Sequence, residues 1–255
     1  MIQALHTSGL GMLGEQEYLD NTANNIANLH TYGYKKERLN FKDALYVNMR
    51  DASDGNSAEN LKKGTGVIPN SVSKLHGHGP IIETGRNLDV NLSDEETFFV
   101  VEDYNGDQVY TRNGEFRIST EADGNFLVNS SGYYILDNGY NRININSPES
   151  GINIDMLGNI RNAEGEDVAQ IAIVAFPSVS GLENIGGNVF AATELSGEAE
   201  IEENATLLQG YIEGSNVDLG EEMVNMIRAQ RAYQLASRVL RTSDEMEGIA
   251  NSLRK

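Results

Sequence analysis

The chain contains no cysteine and no tryptophan, and only four prolines in 255 residues. Without cysteine there can be no disulfide, no thiolate nucleophile and no cysteine-based zinc site. No run reaches the ~18 consecutive apolar residues of a membrane-spanning helix. Basic residues are scarce: 19 Lys and Arg stand against 38 Asp and Glu, a net charge of −19. Such a balance argues against a surface built to neutralise nucleic-acid phosphates. No Lys or Arg precedes Lys35, so the N-terminus lacks the basic start of a cleavable signal peptide and none is expected. Lys and Arg are also missing between Arg161 and Arg228, where thirteen acids run from Glu164 to Glu222. That stretch reads either as a solvated acidic face or as a surface meant for a basic neighbour.

Hydrophobic residues still make up 39% of the chain, enough to bury a core. The first thirty residues have a helical period. Ile2, Leu5, Gly9, Met12, Leu19, Ala23 and Ile26 form a heptad-type seam that ends near Thr31-Tyr32-Gly33, with Gly33 as the expected left-handed residue closing the helix. The last forty residues repeat the pattern. Leu219, Met223, Met226, Gln230 and Tyr233 step by four and three, and after a shift Leu235, Val239, Thr242, Met246, Ile249 and Leu253 continue. Asn216 or Asp218 can cap this helix, with Glu221 and Glu222 in its first turn. About 35 helical residues would span roughly 50 Å.

Between the ends the period changes. Thr97–Val101 and Gln108–Thr111 flank Asn105-Gly106, a hairpin signal that predicts a type I′ turn with positive φ at both central residues. Short strands are expected at Phe116–Ile118, Phe126–Val128, Tyr133–Leu136, Ile143–Ile145 and Ile152–Ile154, separated by turns at Asp123-Gly124, Ser131-Gly132, Gly158-Asn159 and Glu164-Gly165. Val168–Phe176 is apolar on both faces apart from Gln170 and reads as a central buried strand. Residues 51–66 are polar and turn-rich and read as a linker or mobile loop. The expected fold is α+β: a central all-β domain of short antiparallel strands with long N- and C-terminal helices forming a coiled-coil arm. The expected boundaries are a helical arm at 1–35, linker and loop at 36–75, the β domain at 76–210 and a second arm at 211–255.

Candidate chemistry is thin. His76-Gly77-His78 offers two imidazoles but no carboxylate at ligand spacing. Asp103-Tyr104-Asn105-Gly106-Asp107 begins like a calcium loop but has Gln108 and Gly114 where glycine and glutamate are needed. No nucleophile elbow, P-loop or zinc-protease motif is present. No catalytic, cofactor-binding or metal-binding residue is assigned, and the chain is read as a non-enzyme. Asn21, Asn25 and Asn28 share one helical face; they are either capping residues at a fraying end or a polar ladder that sets register across a helix–helix interface.

Two stretches identify a family. Ala23-Asn24-Asn25-Ile26-Ala27-Asn28 followed by Thr31-Tyr32-Gly33-Tyr34-Lys35 closely resembles the N-terminal signature of flagellar rod and hook proteins, with His30 where that family more often has asparagine. Glu213-Gly214-Ser215-Asn216-Val217 and Gln230-Arg231-Ala232-Tyr233 resemble its C-terminal segments. Thr84-Gly85-Arg86-Asn87-Leu88-Asp89, Tyr110-Thr111-Arg112-Asn113-Gly114-Glu115-Phe116 and Gly187-Asn188-Val189-Phe190 extend the likeness through the middle, although Glu96-Thr97 departs from the family's usual glycine-containing pair. Length favours the distal rod type, with the proximal rod type close behind. The resemblance implies a structural subunit of the flagellar basal body, exported by the flagellar type III apparatus without a cleaved signal. Its terminal helices would polymerise with copies of itself and with other rod and hook subunits into a hollow, torque-transmitting shaft, with neither nucleic acid nor membrane insertion involved. The residues expected at that assembly interface are Leu5, Met12, Leu19, Asn25, Ile26, Asn28, Met223, Met226, Tyr233, Val239, Met246 and Ile249. A secreted polysaccharide hydrolase and a self-contained binding module remain as readings from other classes.

Overall fold

A computed structural model describes residues 2–48, 62–121, 124–145, 151–202 and 205–253. The chain is a mixture of helix and sheet, with a β-rich centre between two long helices. It divides into two compact units, one of Met1–Ala27, Glu37–Ser73 and Asp218–Lys255, the other of Asn28–Lys36 and Lys74–Val217.

The first unit is built on helices α1 (Ile2–Ala27) and α2 (Leu219–Ser252), which pack against each other. The Asp218 side chain accepts the Glu221 N–H at 3.0 Å and caps α2, whereas Asn216 bonds elsewhere. α1 stops at Ala27, six residues before Gly33, because Asn28 turns the chain: its carbonyl accepts the Thr31 N–H at 3.1 Å and its Oδ1 accepts the Thr31 hydroxyl. Gly33 does have positive φ (67°) but does not close the helix; a Cβ there would sit 2.9 Å from the Asn113 nitrogen. Segment 36–75, expected as linker and loop, is structured where described. Glu37–Asp43 pairs with Val67–Lys74, and Tyr46–Asn48 pairs with Lys62–Gly64. The reason lies in an overlooked alternation: Leu39 is buried, and the Phe41 ring sits 6.3 Å from that of Tyr18 on α1. Of the expected mobile loop, residues 51–61 lie outside the described residues.

The second unit centres on a nine-stranded sheet in which Thr97–Glu102 pairs with Gln108–Thr111 on one side and with Tyr134–Ile135 and Ile173–Ala175 on the other. Successive side chains of a strand point to opposite faces. Phe99 and Val101 therefore enter a core with Leu88, Phe116, Leu127 and Ile135, while Phe98 and Val100 enter a second with Leu136, Phe176 and Phe190. Thr97–Glu102, not Val168–Phe176, is the central buried strand. The Val168–Phe176 run is two pieces: Asp167–Gln170 belongs to a separate three-stranded sheet with Asn153–Ile154 and Asn159–Arg161, and Val168 is exposed. The run is continuously apolar because Ile171 and Ile173 fill one core and Ala172 and Val174 the other. Ile143–Ile145 makes only isolated bridges through its neighbours, Arg142 to Leu136 and Asn144 to Phe126.

The hairpin at Asn105-Gly106 is not type I′, since only Gly106 has positive φ. It is a five-residue turn in which the Gly106 N–H reaches the Asp103 carbonyl and the Asp103 N–H reaches the Asp107 carbonyl. The same turn recurs from Asn129, Asp137, Asp155 and Asn162. In those four the first side chain also accepts the N–H groups two and four residues on. The fourth residue has positive φ each time: Gly106, Gly132, Gly158, Gly165, and at one turn Tyr140 (58°). A tyrosine pays a steric penalty in that region that glycine escapes. Tyr140→Gly should therefore raise unfolding free energy by about 0.5–1 kcal/mol; an unchanged or lower denaturation midpoint would show that the tyrosine ring contributes more than the strain.

Candidate assembly interface

The helix pair meets through small residues. On α2 the buried positions are Glu222, Ala229 and Ser243, spaced by one heptad and then two, with the half-buried Ala236 at the heptad position between the last two. On α1 they include Ser8, Thr22 and Asn25, whose small or short side chains let the backbones approach. The Ser8 and Thr22 hydroxyls donate to carbonyls four residues back, Ala4 at 2.8 Å and Tyr18 at 2.8 Å, so neither is left unsatisfied.

Asn25 is the specific contact. It is 1% exposed, and its amide grips the backbone of Glu37 from both sides: Nδ2 donates to the carbonyl at 2.9 Å and Oδ1 accepts the N–H at 2.9 Å. The same Nδ2 donates to Glu222 Oε2 at 3.2 Å on α2. One asparagine thus ties a strand and a second helix to the end of α1. Asn28 lies beyond the helix and belongs to the other unit.

The expected interface residues fall into two groups. Leu5, Met12 and Tyr233 line one open groove of about 530 Å³ with Leu10, Leu13 and Leu240. Leu19, Ile26, Asn28 and Met226 are half-buried. By contrast Met223, Val239, Met246 and Ile249 are 50–60% exposed, on faces of α2 that α1 does not cover. The large apolar residues of α2 thus point largely outward while its small ones face α1.

The second unit holds a buried charge cluster that sequence reasoning did not single out. Lys35, Arg112 and Glu213 are all 2% exposed or less. Glu213 Oε1 accepts from Lys35 Nζ at 2.6 Å and from the Gly79 N–H at 2.9 Å, and Oε2 accepts from Arg112 Nε at 2.8 Å. Arg112 Nη1 donates to the carbonyls of Asp94, Glu95 and Thr97, and Lys35 Nζ donates also to that of Gly77. Burial pushes the Glu213 carboxyl up, but Arg112, Lys35 and the Gly79 N–H together hold it below the ordinary carboxylate range. Burial and the neighbouring Arg112 push the Lys35 ammonium down, against the pull of Glu213. Close by, His76 packs on Phe190 and Phe98, and burial with the positive charges of Lys35, Lys74 and Arg112 brings it down to about 4. This histidine serves the aromatic core. Among the described residues no three His, Asp or Glu side chains group as metal ligands.

Residues 94–173 match the flagellar hook protein FlgE/F/G D1 domain, and residues 208–253 match the flagellar basal body rod FlgEFG protein C-terminal region. The chain is 35% identical to the flagellar basal-body rod protein FlgG of Agrobacterium fabrum over 98% of both chains. It is 35% identical to FlgG of Borreliella burgdorferi over the full length of both, and 33% identical to FlgG of Bacillus subtilis over 96% of this chain and 97% of that one. The chain belongs to the FlgG family of flagellar basal-body rod proteins. Within this FlgG-family chain the matched C-terminal region carries Glu213 and all of α2, and the matched D1 region carries Arg112 and the central strand. The signal that could have exposed the cluster is a charged residue inside an otherwise apolar or small setting: Arg112 directly after Val109-Tyr110-Thr111, and Glu213 before Gly214-Ser215.

Two cations share one carboxylate here, so the substitutions are unequal. Glu213→Ala strands two buried cations and should lower unfolding free energy by about 3–5 kcal/mol. Lys35→Met leaves the Arg112–Glu213 pair intact and should cost clearly less; equal costs in denaturant unfolding would contradict this account. In acid both titrations act in one direction. Glu213 contributes stability at pH values above the unfolded carboxylate pKa, and this is lost as pH falls through its lower folded value. His76 stays neutral in the fold while the unfolded chain takes up its proton, so stability drops as pH falls from about 6.5 to about 4. His76→Phe should flatten that part of the stability–pH curve.

Proposed function

We propose that this chain is a structural subunit of the flagellar rod in the basal body, most like the distal rod type. It works without catalysis. Copies of it, with other rod and hook subunits, polymerise through the terminal helices into a hollow shaft that transmits torque, and the helices pack there as a coiled-coil arm. The observation that carries this reading is the outward face of α2. Leu219, Met223, Ile227, Val239, Met246 and Ile249 are 43–60% exposed there. Covering the exposed half of such a side chain is worth roughly 1 kcal/mol, so the stripe gains several kcal/mol from a neighbour. An extended apolar stripe of this kind marks a surface awaiting a partner.

Leu5, Met12, Leu19, Asn25, Ile26 and Asn28 at one end and Met223, Met226, Tyr233, Val239, Met246 and Ile249 at the other are the residues assigned to the seam. The glycines of α1 support assembly-coupled ordering. A Cβ at Gly9 or Gly11 would meet nothing within 4 Å, so packing inside the chain does not demand glycine there. Each weakens the helix by about 1 kcal/mol relative to alanine. A loosely held N-terminal helix suits export through the flagellar type III apparatus, followed by tightening against neighbours.

Complementation tests the proposal. In a strain lacking its own rod gene the wild-type chain should restore swimming. Met246→Asp should not, although its melting temperature stays near wild type because the position is 54% exposed. Normal swimming by Met246→Asp would remove α2's outward stripe from the interface.

A further inference from the structure

α1 and the middle of α2 carry opposite charge. Residues 1–34 contain three acids, Glu15, Glu17 and Asp20, and no Lys or Arg. Residues 223–243 contain four arginines, Arg228, Arg231, Arg238 and Arg241, and no acid, in a chain of net charge −19. A helix that only keeps itself in solution gains by placing acids three or four residues from its bases. In the middle of α2, Arg228, Arg231 and Arg238 have no acid within four residues on either side. All four arginines are exposed, as are Glu17 and Asp20, while Glu15 is half-buried. Among the described residues the side chains of these four arginines make no hydrogen bond or ion pair.

The spacings are complementary. Along α1, Leu13, Glu17 and Asp20 fall four and three residues apart on an exposed face. Read backwards along α2, Leu235, Arg231 and Arg228 also fall four and three apart, and all are exposed. Within one chain the two helices run antiparallel, with Asn25 against Glu222 and the Leu5 end of α1 sharing its groove with Leu240. A second helix pair laid alongside keeps that sense. It brings Leu13 to Leu235, both 58% exposed, Glu17 to Arg231 and Asp20 to Arg228.

We infer that copies of this chain dock side by side through an ion-pair seam, the arginine edge of α2 on one copy against the acidic edge of α1 on the next. This rests on the assembly reading above and gives it a surface and a direction. Each copy offers one edge of each sign, so the contact is heterologous and passes from copy to copy. Exposed ion pairs are worth only about 0.2–1 kcal/mol each. The seam therefore sets register and steers approach, while apolar contacts supply most of the affinity.

Sedimentation velocity of the purified full-length chain at rising concentration, in about 0.05 M and about 0.5 M salt, tests the seam. The wild-type chain self-associates, and the higher salt weakens it. Arg228→Glu with Arg231→Glu weakens association at least about tenfold, and Glu17→Arg with Asp20→Arg does the same. Arg228→Gln with Arg231→Gln introduces no repulsion and falls between. An equimolar mixture of the two charge-reversed variants associates again, because each supplies the edge the other lost. Unchanged circular dichroism verifies that the helices persist. Variants that associate like wild type, a mixture that stays dissociated, or a wild-type chain that never associates each overturn the inference. A chain that follows the predicted pattern yet fails to rescue a rod-less strain overturns the rod reading and leaves the seam in place.

Discussion

Taking the Glu213 carboxylate out of water carries a penalty of several kcal/mol, and the β unit is arranged so that three donors offset it. Those donors come from segments far apart in the chain: Lys35, the Gly79 N–H and Arg112. Arg112 in turn ties down the carbonyls of Asp94, Glu95 and Thr97, at the start of the central strand. The Gly33 N–H donates to the Glu213 carbonyl, and Asn216 binds the Lys36 N–H together with the carbonyls of Leu75 and Gly77. The two ends of the unit, 28–36 and 210–217, are thus held to one another and to the sheet by a single polar knot. Tyr34, Ile212 and Val217 are buried at these ends, and the polar bonds add direction to that burial.

The helical unit solves a different problem. A subunit that assembles must fold far enough to be specific, yet keep surface in reserve. Small residues at the α1–α2 contact, with Asn25 as the directional bond, define the pair's register. The bulky residues that would have made a stronger private contact, Met223, Val239, Met246 and Ile249, are turned outward. The arrangement gives up stability in the single chain, and in the proposed assembly the apolar area and unpaired charge left over serve the neighbours.

Much of the layout was legible in residue pattern. Helical period and a cap at Asn216 or Asp218 located α2, and two strand-like runs flanking Asn-Gly located the hairpin around Thr97–Glu102. The family motifs at both ends identified the chain. Local signals were less able to give turn geometry. The five related turns are five residues long with one positive-φ residue, where a type I′ turn needs two in a two-residue loop, and Tyr140 shows that even a non-glycine can occupy that position. The alternation of Leu39 and Phe41 was present but too short to stand out from a polar stretch.

The sequence by itself determined the period of each segment and hence the mixture of two long helices with many short strands. Periodicity reports that one face differs from another, and that is a property of neighbouring residues. It does not report which face meets which partner. Only the tertiary structure decided that α2 turns its small residues toward α1. It also decided that the apolar run ending at Phe176 is shared between two sheets, and that Glu213 meets Arg112 across 101 residues and Lys35 across 178. Each of these outcomes depends on distances between segments remote in the chain, which burial and electrostatics resolve together once the whole chain has folded.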